Sequence, residues 1–112
     1  MPPKNEKTQK IRNLNDIFRR TGAGGRVYMT PSIQALPIEK QIDLFSRIRT
    51  FDTFTVENDP YGEHDFASLP IGDEKAYFKI DYYNKDMSAG SEDPSDTKQT
   101  TRVMTVMLSH EY

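Results

Sequence analysis

The chain has no cysteine, which excludes disulfide bridges, thiol nucleophiles and thiolate metal sites. Nitrogen ligands are nearly as scarce, since His64 and His110 are the only histidines. No apolar run approaches the length of a membrane span, and the opening Met-Pro-Pro-Lys-Asn-Glu-Lys holds no hydrophobic signal region. Membrane insertion and export are therefore not expected, and a cytoplasmic location is the default reading. Also missing are a serine, cysteine or threonine in a nucleophile-elbow context, a calcium-loop spacing, and the helical His-Glu-x-x-His pattern.

What remains is a polar chain of 112 residues, 35% hydrophobic and 29% charged. A single domain of this length buries roughly two thirds of its unfolded surface, which suffices for one modest core. The low apolar content implies that a tail and a polar loop dilute the folded unit. Residues 1–8 lack apolar anchors and are expected to be a flexible tail, leaving residues 9–112 as the domain. Charge is divided unevenly. Residues 1–50 carry ten Lys and Arg against four Asp and Glu, a net of +6, while residues 51–112 carry five against thirteen, a net of −8. Kept on separate faces, these halves would make a dipolar surface; packed side by side, they would cancel locally.

Ile11, Leu14, Ile17 and Phe18 recur at the spacing of one helical face, so a helix is expected over about 9–21, with Thr8 as N-cap and Gly22 as its stop. Gly22-Ala23-Gly24-Gly25 follows a helix and precedes the short strand Arg26–Thr30. That order suits a turn and not a phosphate cradle, which follows a strand and opens into a helix. A second helix is expected over about 37–50, with Ile38, Ile42, Phe45 and Ile48 as its apolar stripe and Leu44 off it. Asp43 and Arg47 stand four apart as a surface pair.

Lys75–Tyr83 alternates as a strand, with Ala76, Phe78, Ile80 and Tyr82 on one face and Tyr77, Lys79, Asp81 and Tyr83 on the other. Gly72-Asp73 is a two-residue hairpin turn, and residues 64–69 form the partner strand, which by Pro70 lies at an edge or ends just there. That register sets Leu69 opposite Ala76, Ala67 opposite Phe78, Phe66 opposite Lys79 and His64 opposite Asp81. Residues 84–100, centred on Ser91-Glu92-Asp93-Pro94-Ser95-Asp96, read as a long acidic loop, mobile or functional. Arg102–Glu111 is apolar on both faces and reads as an interior strand. The fold class is α+β: two N-terminal helices on one face of a mainly antiparallel sheet of about four strands.

Chemistry concentrates in Asn58-Asp59-Pro60-Tyr61-Gly62-Glu63-His64-Asp65-Phe66. His64, with Asp65 and Asp81 and with Tyr61 or Tyr83 as proton donor, has the parts of an imidazole oriented by a carboxylate. The competing reading is a tight turn at Asp59-Pro60-Tyr61-Gly62 with Asn58 or Asp59 capping backbone amides. Asp59, Glu63, His64, Asp65 and Asp81 could also ligate a metal, but their spacing fits no known loop, so no metal and no cofactor is assigned. Lys4, Lys7, Lys10, Arg12, Arg19, Arg20 and Arg26, with Tyr28 for stacking, are the residues available to nucleic acid. In a net-acidic chain they make a weak footprint, and nucleic acid is not the expected partner.

The 58–66 segment, together with Lys79-Ile80-Asp81-Tyr82-Tyr83 and Thr101–Leu108 ending in Glu111-Tyr112, resembles the domain-of-unknown-function family 3768. The resemblance extends from about Arg12 to the C-terminus. It implies a short bacterial protein of the kind carried by alphaproteobacteria, plasmids or phages, and implies no reaction. In that setting a small acidic protein looks like an accessory or counter-defence factor of the anti-CRISPR type. The preferred reading is a non-enzymatic module whose carboxylates at Asp59, Glu63, Asp73, Asp86, Glu92, Asp93 and Asp96 bind a basic protein surface and block its access to nucleic acid. The alternative is a hydrolase or metal-dependent enzyme built on His64, Asp65 and Asp81.

Overall fold

The computed structural model describes residues 3–112; Met1, Pro2 and the side chains of residues 3–5 lie outside the described residues. The elements are α1 (Pro3–Thr21), β1 (Gly25–Met29), α2 (Pro31–Gln34), α3 (Ile38–Thr50), β2 (Phe66–Ile71), β3 (Glu74–Tyr83), β4 (Thr101–Leu108) and a closing 3₁₀ turn (Ser109–Glu111). Among the described residues no helix is long and apolar enough to cross a membrane.

The sheet has the order β1-β4-β3-β2. β2–β3 and β3–β4 are antiparallel, whereas β1 runs parallel to β4, so the sheet is mixed and not mainly antiparallel as expected. The reason is connectivity. Only β2 and β3 are joined by a tight turn; β1 reaches β4 through α2, α3 and the other two strands, a crossover long enough to return the chain in the same direction. The helices also differ from expectation. α2 is an extra turn after β1, a 3₁₀ turn closes the chain, and α1 begins at Pro3, so residues 3–8 of the expected tail are helical and Thr8 is an interior helix position.

The hairpin register is the expected one where the ladder exists: Phe66 opposite Lys79, Ala67 opposite Phe78, Leu69 opposite Ala76. Gly72 sits at φ +59 as the first of the two turn residues, a conformation that costs an L side chain energy. Pro70 lies on β2, an edge strand, and β4 is interior and largely buried.

One sheet face carries Ala67, Leu69, Ala76, Phe78, Ile80, Met104, Val106 and Leu108, which join Phe18, Ile33, Leu44 and Ile48 of the helices in a single core. Gly25 marks the tightest approach. A Cβ there would stand 2.6 Å from the Arg102 carbonyl and 2.7 Å from the Phe18 ring. α3 turns inward a face that shares Ile48 and Phe45 with the expected stripe but takes in Leu44 in place of Ile38 and Ile42. Leu44 and Ile48 are fully buried, while Ile38 and Ile42 of the expected stripe are 61% and 63% exposed. Both sets are apolar, and the position of the sheet decides between them.

Leu44→Ala is expected to cost about 2–5 kcal/mol by urea denaturation in dilute solution, because it opens a cavity under the helix; Ile42→Ala should stay within about 0.5 kcal/mol.

Candidate functional site

Residues 51–65 connect α3 to β2 and are drawn onto α1 by hydrogen bonds. Asn58 Oδ1 accepts from the Thr55 N–H at 2.8 Å, and the buried Asp59 carboxylate accepts from the His64 N–H at 3.1 Å. Arg12 Nε donates to the Gly62 carbonyl at 2.6 Å, and Asn15 Nδ2 to the Glu63 carbonyl at 2.9 Å. The segment is thus a capped turn laid along the helix.

His64 ends that turn at φ +57, in the left-handed region that histidine tolerates better than most residues. The reversal breaks the alternation of β2 and carries the imidazole away from β3. Nδ1 donates to Asp16 Oδ1 on α1 at 2.9 Å, Nε2 stands 3.8 Å from Asp59 Oδ2, and the ring stacks on Phe54 with centroids 3.9 Å apart. The expected pairing of His64 with Asp81 does not form. β2 begins only at Phe66, and Asp81 pairs instead with Lys79 at 3.3 Å on the other sheet face. Burial alone would raise the Asp16 carboxyl, but the hydrogen bonds from His64 and Arg19 outweigh it and hold it below its ordinary 3.8.

A second set of polar groups lies deeper. Arg102 on β4 is buried, and its Nε donates to Asn15 Oδ1 at 2.6 Å while Nη2 donates to the Pro94 carbonyl at 2.6 Å. Asn15 Nδ2 also donates to the Tyr82 hydroxyl at 2.8 Å, which in turn donates to Glu63 Oε1 at 2.7 Å. Burial, followed by the bond to Glu63, pushes the Tyr82 phenol well above its usual range. Arg19, likewise buried, donates to the Ile48 and Phe51 carbonyls at 3.0 and 2.9 Å, closing the C-terminal end of α3, and bonds Asp16 at 2.7 Å.

The catalytic candidates are therefore dispersed. His64 faces Asp16 and Asp59, Asp81 faces Lys79, and Tyr83 bridges to Gly90 at the start of the acidic loop. Among the described residues no group of three or more His, Asp or Glu is arranged to hold a metal ion. The residues named for partner binding also divide. Asp59 and Glu63 serve internal bonds, and Asp73 sits on the hairpin turn at the far end of β3 from the loop, roughly 30 Å away along a ten-residue strand. Asp86, Glu92, Asp93 and Asp96 share the loop 84–100.

That loop is folded. Asp86, Asp93 and Asp96 each accept from the backbone N–H two residues on, at Ser88, Ser95 and Lys98, and Thr100 Oγ1 donates to the Asp93 carbonyl at 2.8 Å. The side-chain bonds from Ser88, Ser95 and Gln99 respectively hold the three carboxyls below their usual range. Basic groups stand among them. Lys7 of α1 lies 3.6 Å from Asp93, the one ion pair here from the basic half of the sequence among the described residues, and Lys85 and Lys98 are exposed on the loop itself.

Asn15 and Asp16 were not among the sequence candidates, and Arg19 was named there only as a residue available to nucleic acid. Their signal was present: Asn15 falls between Ile11 and Phe18 at helical spacing, on the stripe that is buried, whereas Ile17 of the expected stripe is 53% exposed.

A family model described as "Protein of unknown function (DUF3768)" matches residues 29–111. The chain belongs to this family. The DUF3768 match starts later than the resemblance from about Arg12 implied, so it takes in His64, Tyr82 and Arg102 while Asn15, Asp16 and Arg19 precede it. No curated protein and no solved structure matches the chain.

Asp65 supplies a pH test. Burial, and then the neighbouring Glu63, push its carboxyl from 3.8 up to about 6. A raised carboxyl favours the protonated folded state, so this contribution to stability is full below about pH 4 and is lost as pH rises through about 6. With allowance for partial exposure, Asp65→Asn should stabilise the fold by about 1 kcal/mol at neutral pH and by nothing at pH near 4, read from urea unfolding across that range. A gain independent of pH would contradict the assignment.

Proposed function

We propose that this protein is a non-enzymatic interaction module that presents the carboxylates of loop 84–100 to a Lys/Arg-rich surface of another protein, such as a nucleic-acid-binding channel that it would block. The observation that carries the reading is a contrast between two sets of acidic groups. Most of those suited to catalysis are engaged inside the fold: both ring nitrogens of His64 face carboxylates, Glu63 and Asp59 are bonded within it, and Asp81 pairs with Lys79. Those of the loop are held in shape by short turns, and Asp86 and Glu92 are exposed.

A loop already ordered loses little conformational freedom on binding, and its anions steer a cationic partner at low ionic strength. Lys85 and Lys98 beside them set the register in which opposite charges must meet. The accessory or counter-defence role implied by the family resemblance fits such a binder, though it rests on the resemblance and on no contact in the molecule.

The test is affinity capture from native host lysate. A captured partner should be released as salt rises to about 0.5 M, and the variant Glu92→Lys should fold normally and weaken capture. Glu92 is chosen because Asp86, Asp93 and Asp96 each accept a backbone N–H and cannot be reversed without breaking a turn. Capture that survives both high salt and Glu92→Lys would reject the assignment; turnover abolished by His64→Ala would favour the hydrolase.

A further inference from the structure

The two edges of the sheet are treated differently. β2 is guarded: Pro70 lacks an N–H, and its carbonyl accepts from Arg47 Nη1 at 3.3 Å. β1 is less protected, with one charged side chain, Arg26, and a single side-chain cap at the Met29 carbonyl. Its five residues, Gly-Arg-Val-Tyr-Met, are all exposed and include neither proline nor lysine. Thr30 N–H donates to the Val106 carbonyl at 3.1 Å, which sets the alternation of the parallel ladder. Arg26 and Tyr28 turn their backbone groups to β4, while Gly25, Val27 and Met29 turn theirs outward. Gln34 Nε2 takes the Met29 carbonyl at 2.7 Å; the N–H and C=O of Val27 point to open solvent.

Alongside this edge runs an apolar groove of about 490 Å³, lined chiefly by Val27, Met29, Ile38, Ile42 and Phe45. It is the half of the apolar α3 surface that the core does not use. A weakly guarded edge strand beside an unused apolar stripe is the arrangement from which sheets are extended.

We infer that this face is a two-fold interface with a second copy of the chain, in which β1 pairs antiparallel with its counterpart about Val27. The strand is self-complementary around that centre. Arg26 of one copy meets Tyr28 of the other, a guanidinium beside a phenol ring, and Met29 meets Gly25, which has no side chain to obstruct it. The same axis sets the two α3 helices antiparallel, bringing Arg49 at the end of one toward the first turn of the other, where Glu39 lies. The exposed portions of Val27, Tyr28, Met29, Ile38 and Ile42 amount to roughly 500 Å² per copy, or roughly 1,000 Å² for the pair, which reaches the lower bound of a specific interface. Arg49 is the charged residue among the groove's lining, so a cationic partner is disfavoured there and the surface is distinct from the acidic loop.

Light scattering on a sizing column at roughly 1–100 μM should show wild-type dimers at the upper end. Val27→Lys and Ile42→Asp should each be monomeric throughout, with unchanged circular dichroism. Because the chain lacks cysteine, Val27→Cys should form a disulfide-linked dimer on mild oxidation, its two Cα atoms standing at about 5.5 Å, while the exposed Val56→Cys does not. A wild type that stays monomeric, Val27→Cys linking no faster than Val56→Cys, or a dimer unaffected by Val27→Lys would each overturn the inference.

Discussion

A guanidinium taken out of water is costly unless its donors are met, and Arg102 is 2% exposed. Its partners come from three separate parts of the chain: the Asn15 amide of α1, the Pro94 carbonyl of the acidic loop, and the Tyr82 ring of β3 at 5.2 Å. None of these can move alone without stranding a buried charge. Asn15 is also committed to the Glu63 carbonyl and the Tyr82 hydroxyl, so the first helix, the interior strand, the loop and the turn before His64 share one point of support. Arg19, one helical turn along α1, is anchored by Nη1 against the end of α3 with its guanidinium over the Phe54 and Phe78 rings, while its buried Nε has no hydrogen-bond partner among the described residues.

This use of polar residues bears on function. A segment dense in carboxylates and carrying an imidazole invites a catalytic reading, yet three of its polar side chains are bonded to neighbours in the fold. Asp59 caps, Glu63 accepts a hydrogen bond from the Tyr82 hydroxyl, and His64 bonds Asp16. The surfaces left over are of two kinds, an anionic loop with interspersed lysines and an apolar groove beside an open strand edge. They suit different partners, and a two-fold assembly through the second would display two copies of the first, which strengthens capture of any partner with repeated cationic sites.

Local signals were legible. Alternation identified β3, the Gly72-Asp73 pair set the hairpin register from Phe66 to Leu69, and apolarity on both sides placed β4 inside the sheet. What failed required knowledge of the third dimension. α3 is apolar over a width greater than its contact, so periodicity could not decide whether Ile42 or Leu44 faced the core. Extending the hairpin register to His64 assumed continued extended backbone, and one left-handed residue sent the side chain to α1 instead. Asn15 was passed over because a polar residue on an apolar stripe reads as an interruption unless its partner, Arg102, 87 residues away, is already known to be buried beside it.

A double-mutant cycle on Asn15→Leu and Arg102→Met, followed by urea denaturation, measures directly whether these two side chains hold the fold as a unit. If they do, each single variant should lose about 3 kcal/mol or more, since it strands a buried polar partner, and the double variant should lose less than the sum by at least about 1.5 kcal/mol. Losses that add would mean that the guanidinium and the amide are independent, and the shared point of support would not exist.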